Sequence, residues 1–132
     1  MRVRSTEWAI FRGPQDVYRL RMWETTASIP RFNNSGTQTT VLVVQNPTTG
    51  LVAGTVYFWA PTGTLLASHA FSLAANRTLV LSTASVAGVA GQSGALTIAN
   101  DAPYGALSGK TVALESATGM SFDSPMVPRA VR

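Results

Sequence analysis

The chain has no cysteine. Disulfides, thiolate nucleophiles and cysteine-ligated zinc or iron–sulfur centres are therefore excluded. It has one histidine, His69, and only 12% charged residues, about half the share in an ordinary globular protein. Its six acids are scattered singly, with no Asp-x-Asp spacing and no EF-hand-like loop, so a carboxylate metal site has no sequence basis. No run approaches the ~18 apolar residues of a membrane span. A secretory leader is also missing from the opening: residues 1–4 are basic, but Ser5, Thr6 and Glu7 follow, and the apolar stretch 8–11 is too short. Residues suited to soluble amphipathic helices, such as Glu, Lys and Leu, are outnumbered by Ala, Thr, Val, Ser and Gly.

The 132 residues amount to one domain, long enough to bury about two-thirds of the unfolded surface in a single core. The net charge of +4 is carried by the ends. Arg2, Arg4, Arg12, Arg19, Arg21 and Arg31 outnumber Glu7, Asp16 and Glu24, and Arg129 and Arg132 lie at the other end. Between them the chain is almost neutral. The arginines are spread out and form no polybasic run, so local pairing and solvation explain them before nucleic acid or anionic lipid does.

Two textures divide the sequence. Residues 1–30 form an aromatic, arginine-bearing arm or extra strand. Residues 31–126 are a series of short strands, and 127–132 a basic tail. In the arm, Tyr18, Leu20 and Met22 alternate with Arg19 and Arg21, a half-buried strand pattern, although Tyr18 and Met22 also have helical spacing. In the second region, 39–45 is a nearly continuous apolar, β-branched run suited to a central strand. Asn46-Pro47 opens a turn. In 52–60, Thr55, Tyr57 and Trp59 alternate with Val56 and Phe58. Pro61-Thr62-Gly63 predicts a tight hairpin, with Pro at the first central position and Gly supplying a positive φ, and 64–71 is the return strand. Strands follow at 78–82, 94–99 and 109–115, with an eighth around Phe122. The small, Gly-rich stretch 83–91 predicts one helical or 3₁₀ turn with Val86 and Val89 inward. Six to eight short strands with turn signals between them define an all-β, antiparallel sandwich.

Residues 30–126 resemble a β-sandwich module found in many bacterial extracellular proteins, often towards their C-termini. The matching pieces are Pro30-Arg31-Phe32-Asn33-Asn34, Thr39-Thr40-Val41-Leu42-Val43-Val44-Gln45-Asn46-Pro47, Gly54-Thr55-Val56-Tyr57-Phe58, and the return from Ser72-Leu73 to Leu79-Val80-Leu81. The resemblance covers about three-quarters of the chain and implies the fold and a structural or adhesive role rather than a reaction. The strand order, with Trp8-Ala9-Ile10 near the start, is similar to the soluble transducers of microbial sensory rhodopsins, which implies a signalling-adaptor alternative. A cysteine-free, Ala/Thr/Gly/Val-rich β-protein with an aromatic arm also resembles phage virion components. These resemblances point to a cell surface or a virion rather than to a cytoplasmic enzyme.

Chemistry-bearing constellations are few. A Ser-His-Asp triad would require His69 with Asp16, Asp101 or Asp123, but no nucleophile-elbow motif is present, and a strand histidine is the expected role. Asp101 and Glu115 could form a glycosidase pair, although turn capping accounts for Asp101 equally well. The glycines of 88–94 lack the Lys-Ser/Thr ending of a phosphate loop. Trp59 with Tyr57 and Thr55 could stack on sugars or bases; core packing of Trp59 is the competing expectation and the favoured one. The sequence therefore predicts a non-enzymatic protein without cofactor or metal that forms homo-oligomers or docks with other subunits, with Trp8, Phe11, Tyr18, Arg19, Arg21 and Trp23 as candidate interface residues. Recognition of carbohydrate or nucleic acid is the alternative.

Overall fold

The structure, a computed structural model, describes residues 26–128. Nine strands run through them: β1 Thr26–Asn33, β2 Gln38–Gln45, β3 Val52–Trp59, β4 Leu65–Leu73, β5 Thr78–Ser82, β6 Ser93–Asn100, β7 Ser108–Glu115, β8 Met120–Pro125 and the short β9 Val127–Pro128. A five-stranded sheet has the order β4-β3-β6-β1-β9 and a four-stranded sheet the order β5-β2-β7-β8. Every pairing is antiparallel, so the architecture is the antiparallel β-sandwich expected from the sequence. The single turn of 3₁₀ helix is Thr83–Ser85, and Val86 and Val89 behind it are buried in the core as expected. Among the described residues, no helix is long and apolar enough to cross a membrane.

Period-two patterning sets the inner faces. Ile29, Phe32, Val56, Phe58, Leu96 and Ile98 of the five-stranded sheet meet Leu42 and Val44 of the four-stranded one, all fully buried. Each such side chain contributes about 1.5–3 kcal/mol by leaving water. Phe32 and Phe58 meet edge to face, with ring centroids 5.6 Å apart and planes at 85°, the arrangement the ring quadrupoles favour.

β1 begins at Thr26, so the sheet takes in Thr26–Pro30 of the segment read as an arm. Its register against β6 shifts between Ile29 and Phe32. Pro30, which has no N–H for a ladder, sits in this irregularity. At the other end of the chain, Val127 and Pro128 pair with Ser28 and Ala27, so the first residues of the segment read as a basic tail close the edge of the sheet.

Buried polar groups fix how the sheets meet. The Asn34 side chain donates to Thr83 Oγ1 at 2.7 Å and accepts the Thr40 N–H at 2.8 Å, while the Thr83 hydroxyl donates to the Thr40 carbonyl at 2.9 Å. The Thr111 hydroxyl of β7 donates to the Arg31 carbonyl of β1 at 2.8 Å. These bonds join β1, β2, β7 and the 3₁₀ turn across the layer boundary. The Ala60–Gly63 hairpin turn has the expected chemistry: the Gly63 N–H donates to the Ala60 carbonyl at 2.9 Å, and Gly63 has φ +89°.

Candidate binding faces

Because the inner faces fill the core, the surfaces open to a partner or ligand are the outer ones. On the five-stranded sheet, the rung Tyr57–Thr97–Ser28 crosses β3, β6 and β1. Ser68 and Ala70 of β4 lie opposite Tyr57 and Thr55, and Ala95 and Ala99 of β6 lie opposite Trp59 and Thr55. Trp59 is half-exposed here and not in the core, contrary to expectation. Its partners on the inner side of β3, Val56 and Phe58, are fully buried instead. Strand alternation allows only one of the two sets inside, and Phe58 fills the space next to Phe32.

The indole is held in place. Trp59 Nε1 donates to Thr97 Oγ1 at 2.8 Å, and the Tyr57 and Trp59 rings lie 6.4 Å apart with their planes tilted by 38°. Leu65 of β4 lies opposite Trp59 and is 48% exposed; the other cross-strand neighbours of the rings are Ala, Ser and Thr. Among the described residues, the one arginine close by, Arg31, turns away: its guanidinium donates to Gln38 Oε1 at 3.1 Å and lies 6.0 Å from the centre of the Phe122 ring. An open groove of about 430 Å³, lined by Pro30, Arg31, Asn33, Ala60, Pro61 and Ala95 among others, begins beside Trp59 at the end of the sheet.

The outer face of the four-stranded sheet differs. Val43 pairs with Val80 of β5, Val41 with Val112 of β7, and Thr39 with Leu114. Val80 is 67% and Leu114 47% exposed. The result is a continuous aliphatic stripe where an antiparallel sheet facing water ordinarily carries polar residues. Beside it, Lys110 Nζ and Asp123 Oδ2 form a 2.8 Å ion pair.

The residues weighed for catalysis are not brought together. His69 is half-buried opposite Val56 on the edge strand β4, the strand role expected of it. Asp101 accepts the Ala53 N–H at 2.9 Å, as a turn cap would, and Asp123 is paired with Lys110. Glu115 sits at the far end of β7, opposite Gln38, at the other end of the sandwich from Asp101. The glycine-bearing stretch 88–94 leads directly into β6. Among the described residues, no three His, Cys, Asp or Glu side chains cluster as a metal site. The candidate interface residues Trp8, Phe11, Tyr18, Arg19, Arg21 and Trp23, together with Asp16, lie outside the described residues.

Sequence reasoning missed the aliphatic stripe and the Thr97 anchor. The first had a signal: in 39–45 both alternating sets are apolar or β-branched, which marks a strand with two apolar faces. The second had none, because it depends on the β3–β6 register.

Among the described residues, Glu115 has its ionisation shifted by its surroundings. Its carboxyl is held below the usual range, chiefly because it accepts the Thr37 hydroxyl; desolvation opposes this, and bonds from the Ala117 N–H and from Gln38 add to the lowering. A folded-state pKa below the unfolded one gives stability that is present above the unfolded value, ~4.3, and lost as pH falls through the folded value. NMR titration of Glu115 should therefore give a midpoint below that of a model peptide, and Thr37→Val should raise it.

Comparisons with protein-family models, characterised proteins and solved structures return no match.

Proposed function

We propose that this protein is a non-catalytic interaction module that self-associates, building a structural or adhesive assembly through the outer face of its four-stranded sheet. The supporting observation is the aliphatic stripe of Val41, Val43, Val80, Val112 and Leu114, which the sandwich core does not use. Contiguous apolar surface rimmed by polar groups marks an interaction site on soluble proteins.

A second copy of the same chain is the fitting occupant. Among the described residues, the face has one cation and one anion, already paired with each other, so an identical face meets no net repulsion across a twofold axis. Sheets packed face to face are also an ordinary arrangement. A role at a cell surface or in a virion follows from the resemblances of the sequence and belongs to the same proposal.

Sedimentation equilibrium of the full chain tests this. Wild type is expected to associate reversibly. Val80→Glu with Leu114→Glu, both at exposed positions that should spare the fold, would bury two unpaired carboxylates and weaken association at least about 100-fold, since each such ion costs several kcal/mol to desolvate. A wild-type protein that stays monomeric at high concentration would overturn the proposal. So would a double variant that associates as well as wild type, which would move the contact elsewhere, the aromatic arm included. An arm deletion used for comparison should stop at residue 25, because β1 starts at Thr26.

A further inference from the structure

We infer that the outer face of the five-stranded sheet is a binding platform for neutral, equatorially linked polysaccharide of the β-glucan or chitin kind. This goes beyond self-association and uses the opposite side of the molecule.

The first argument is charge. Thr55, Tyr57, Trp59, Ala95, Thr97 and Ala99 make up the centre of the face. The flanking outward positions are Ser28 and Val127 on one side and Leu65, Ser68, Ala70 and Ser72 on the other. None of these side chains is charged at neutral pH, and Arg31 is directed to Gln38 and Phe122. Among the described residues, the sheet face itself offers a polyanion no cation, and the arginine of the adjoining groove, Arg31, is already engaged, whereas a neutral ligand loses no solvated counter-charge on docking.

Shape and chemistry supply the second argument. A pyranose chain with equatorial linkages is a flat ribbon whose faces present C–H groups and whose edges present hydroxyls. Aromatic rings accept the C–H faces, the exposed Leu65 opposite Trp59 adds apolar contact, and the hydroxyls of neighbouring Ser and Thr can bond the edges of the ribbon. Tyr57 and Trp59 stand 6.4 Å apart, near the length of one sugar unit, so successive units can rest on successive rings. The bond from Trp59 Nε1 to Thr97 fixes the indole before a ligand arrives, which lowers the ordering cost of binding. The groove past Ala60 and Pro61 continues the track beyond the edge of the rings.

The experiment is depletion of the full chain from solution by microcrystalline cellulose and by chitin, at low and at high salt, followed by titration with cellohexaose and chitohexaose. Binding to at least one polymer is expected, with little change in salt. Trp59→Ala and Tyr57→Ala, each verified as folded by circular dichroism, should weaken binding at least about tenfold, and Thr97→Val should weaken it less while leaving both rings in place. The Val80→Glu/Leu114→Glu protein should bind the soluble hexasaccharides as wild type does, which separates this site from self-association. Failure of wild type to bind either polymer would overturn the inference. So would unchanged binding by the two aromatic variants. Binding that collapses at high salt would also contradict it, because that behaviour belongs to arginine–polyanion contacts.

Discussion

Replacing Phe58 by Ala is expected to lower the unfolding free energy by about 3–5 kcal/mol, the usual cost of emptying a buried phenylalanine site. Phe58 is fully buried and stands edge-on to Phe32 at 5.6 Å, so the lost side chain leaves a cavity between the sheets and an unpartnered Phe32 ring. For a domain of about 100 residues, this lowers Tm on the order of 10–20 °C. Urea denaturation monitored by circular dichroism measures it. Trp59→Ala serves as the internal comparison. If Trp59 were the core residue of β3, its loss would cost as much. On the outer face it should cost about 1–2 kcal/mol, for one hydrogen bond and partial burial. Equal destabilisation by the two variants would mean that β3 presents the opposite face to the core.

Asn46→Ala is expected to cost about 3–4 kcal/mol without removing any hydrophobic contact of consequence. Asn46 is completely buried at the end of β2. Its amide donates to the carbonyls of Gly50, Leu73 and Ala74 at 2.8, 2.9 and 3.2 Å, and its Oδ1 accepts the Thr48 N–H and hydroxyl at 3.0 and 2.6 Å. One side chain thus satisfies the β2–β3 turn internally and ties it to the end of β4. Truncation strands several buried polar groups at once, each costing about 1–3 kcal/mol when it finds no water. Asn46→Asp should be worse at neutral pH, because an oxygen would replace the nitrogen that faces three carbonyls. A denaturation midpoint within error of wild type for Asn46→Ala would contradict this account of the turn.

Local features of the fold were legible in the sequence. The β3–β4 hairpin could be placed because Pro61-Thr62-Gly63 has the residues its turn demands, and β5 and β7 because Asn76 and Gly109 mark where their apolar stretches start. The 3₁₀ turn was legible because Val86 and Val89 are the only larger apolar residues in a Gly/Ala/Ser stretch. Information fixed by distant pairing was not legible. Alternation in 52–59 separates Val56 and Phe58 from Tyr57 and Trp59, but both sets are apolar, so the pattern alone does not say which faces inward. The same ambiguity in 39–45 hid the aliphatic stripe. Where β1 begins was obscured by Pro30 and Arg31, which interrupt the alternation of Ala27 and Ile29 with Phe32 and are accommodated by a register shift rather than by a chain break. Thr97 meets Trp59 only through the β3–β6 register, which no local signal encodes. Asn46 looked like ordinary turn chemistry. Its burial and its bonds to Leu73 and Ala74, 27 and 28 residues away, follow from the way β2 and β4 end together.

We propose that the inner faces of the sandwich serve folding and that its aliphatic outer face receives a second copy of the chain. The most direct measurement is an isotope-filtered NOE experiment on a mixed sample of ¹³C-methyl-labelled and unlabelled full-length chains. The account predicts intermolecular cross-peaks from the methyl groups of Val41, Val43, Val80, Val112 and Leu114. Intermolecular peaks confined to other residues, or none from these methyls at concentrations where the protein is associated, would contradict it.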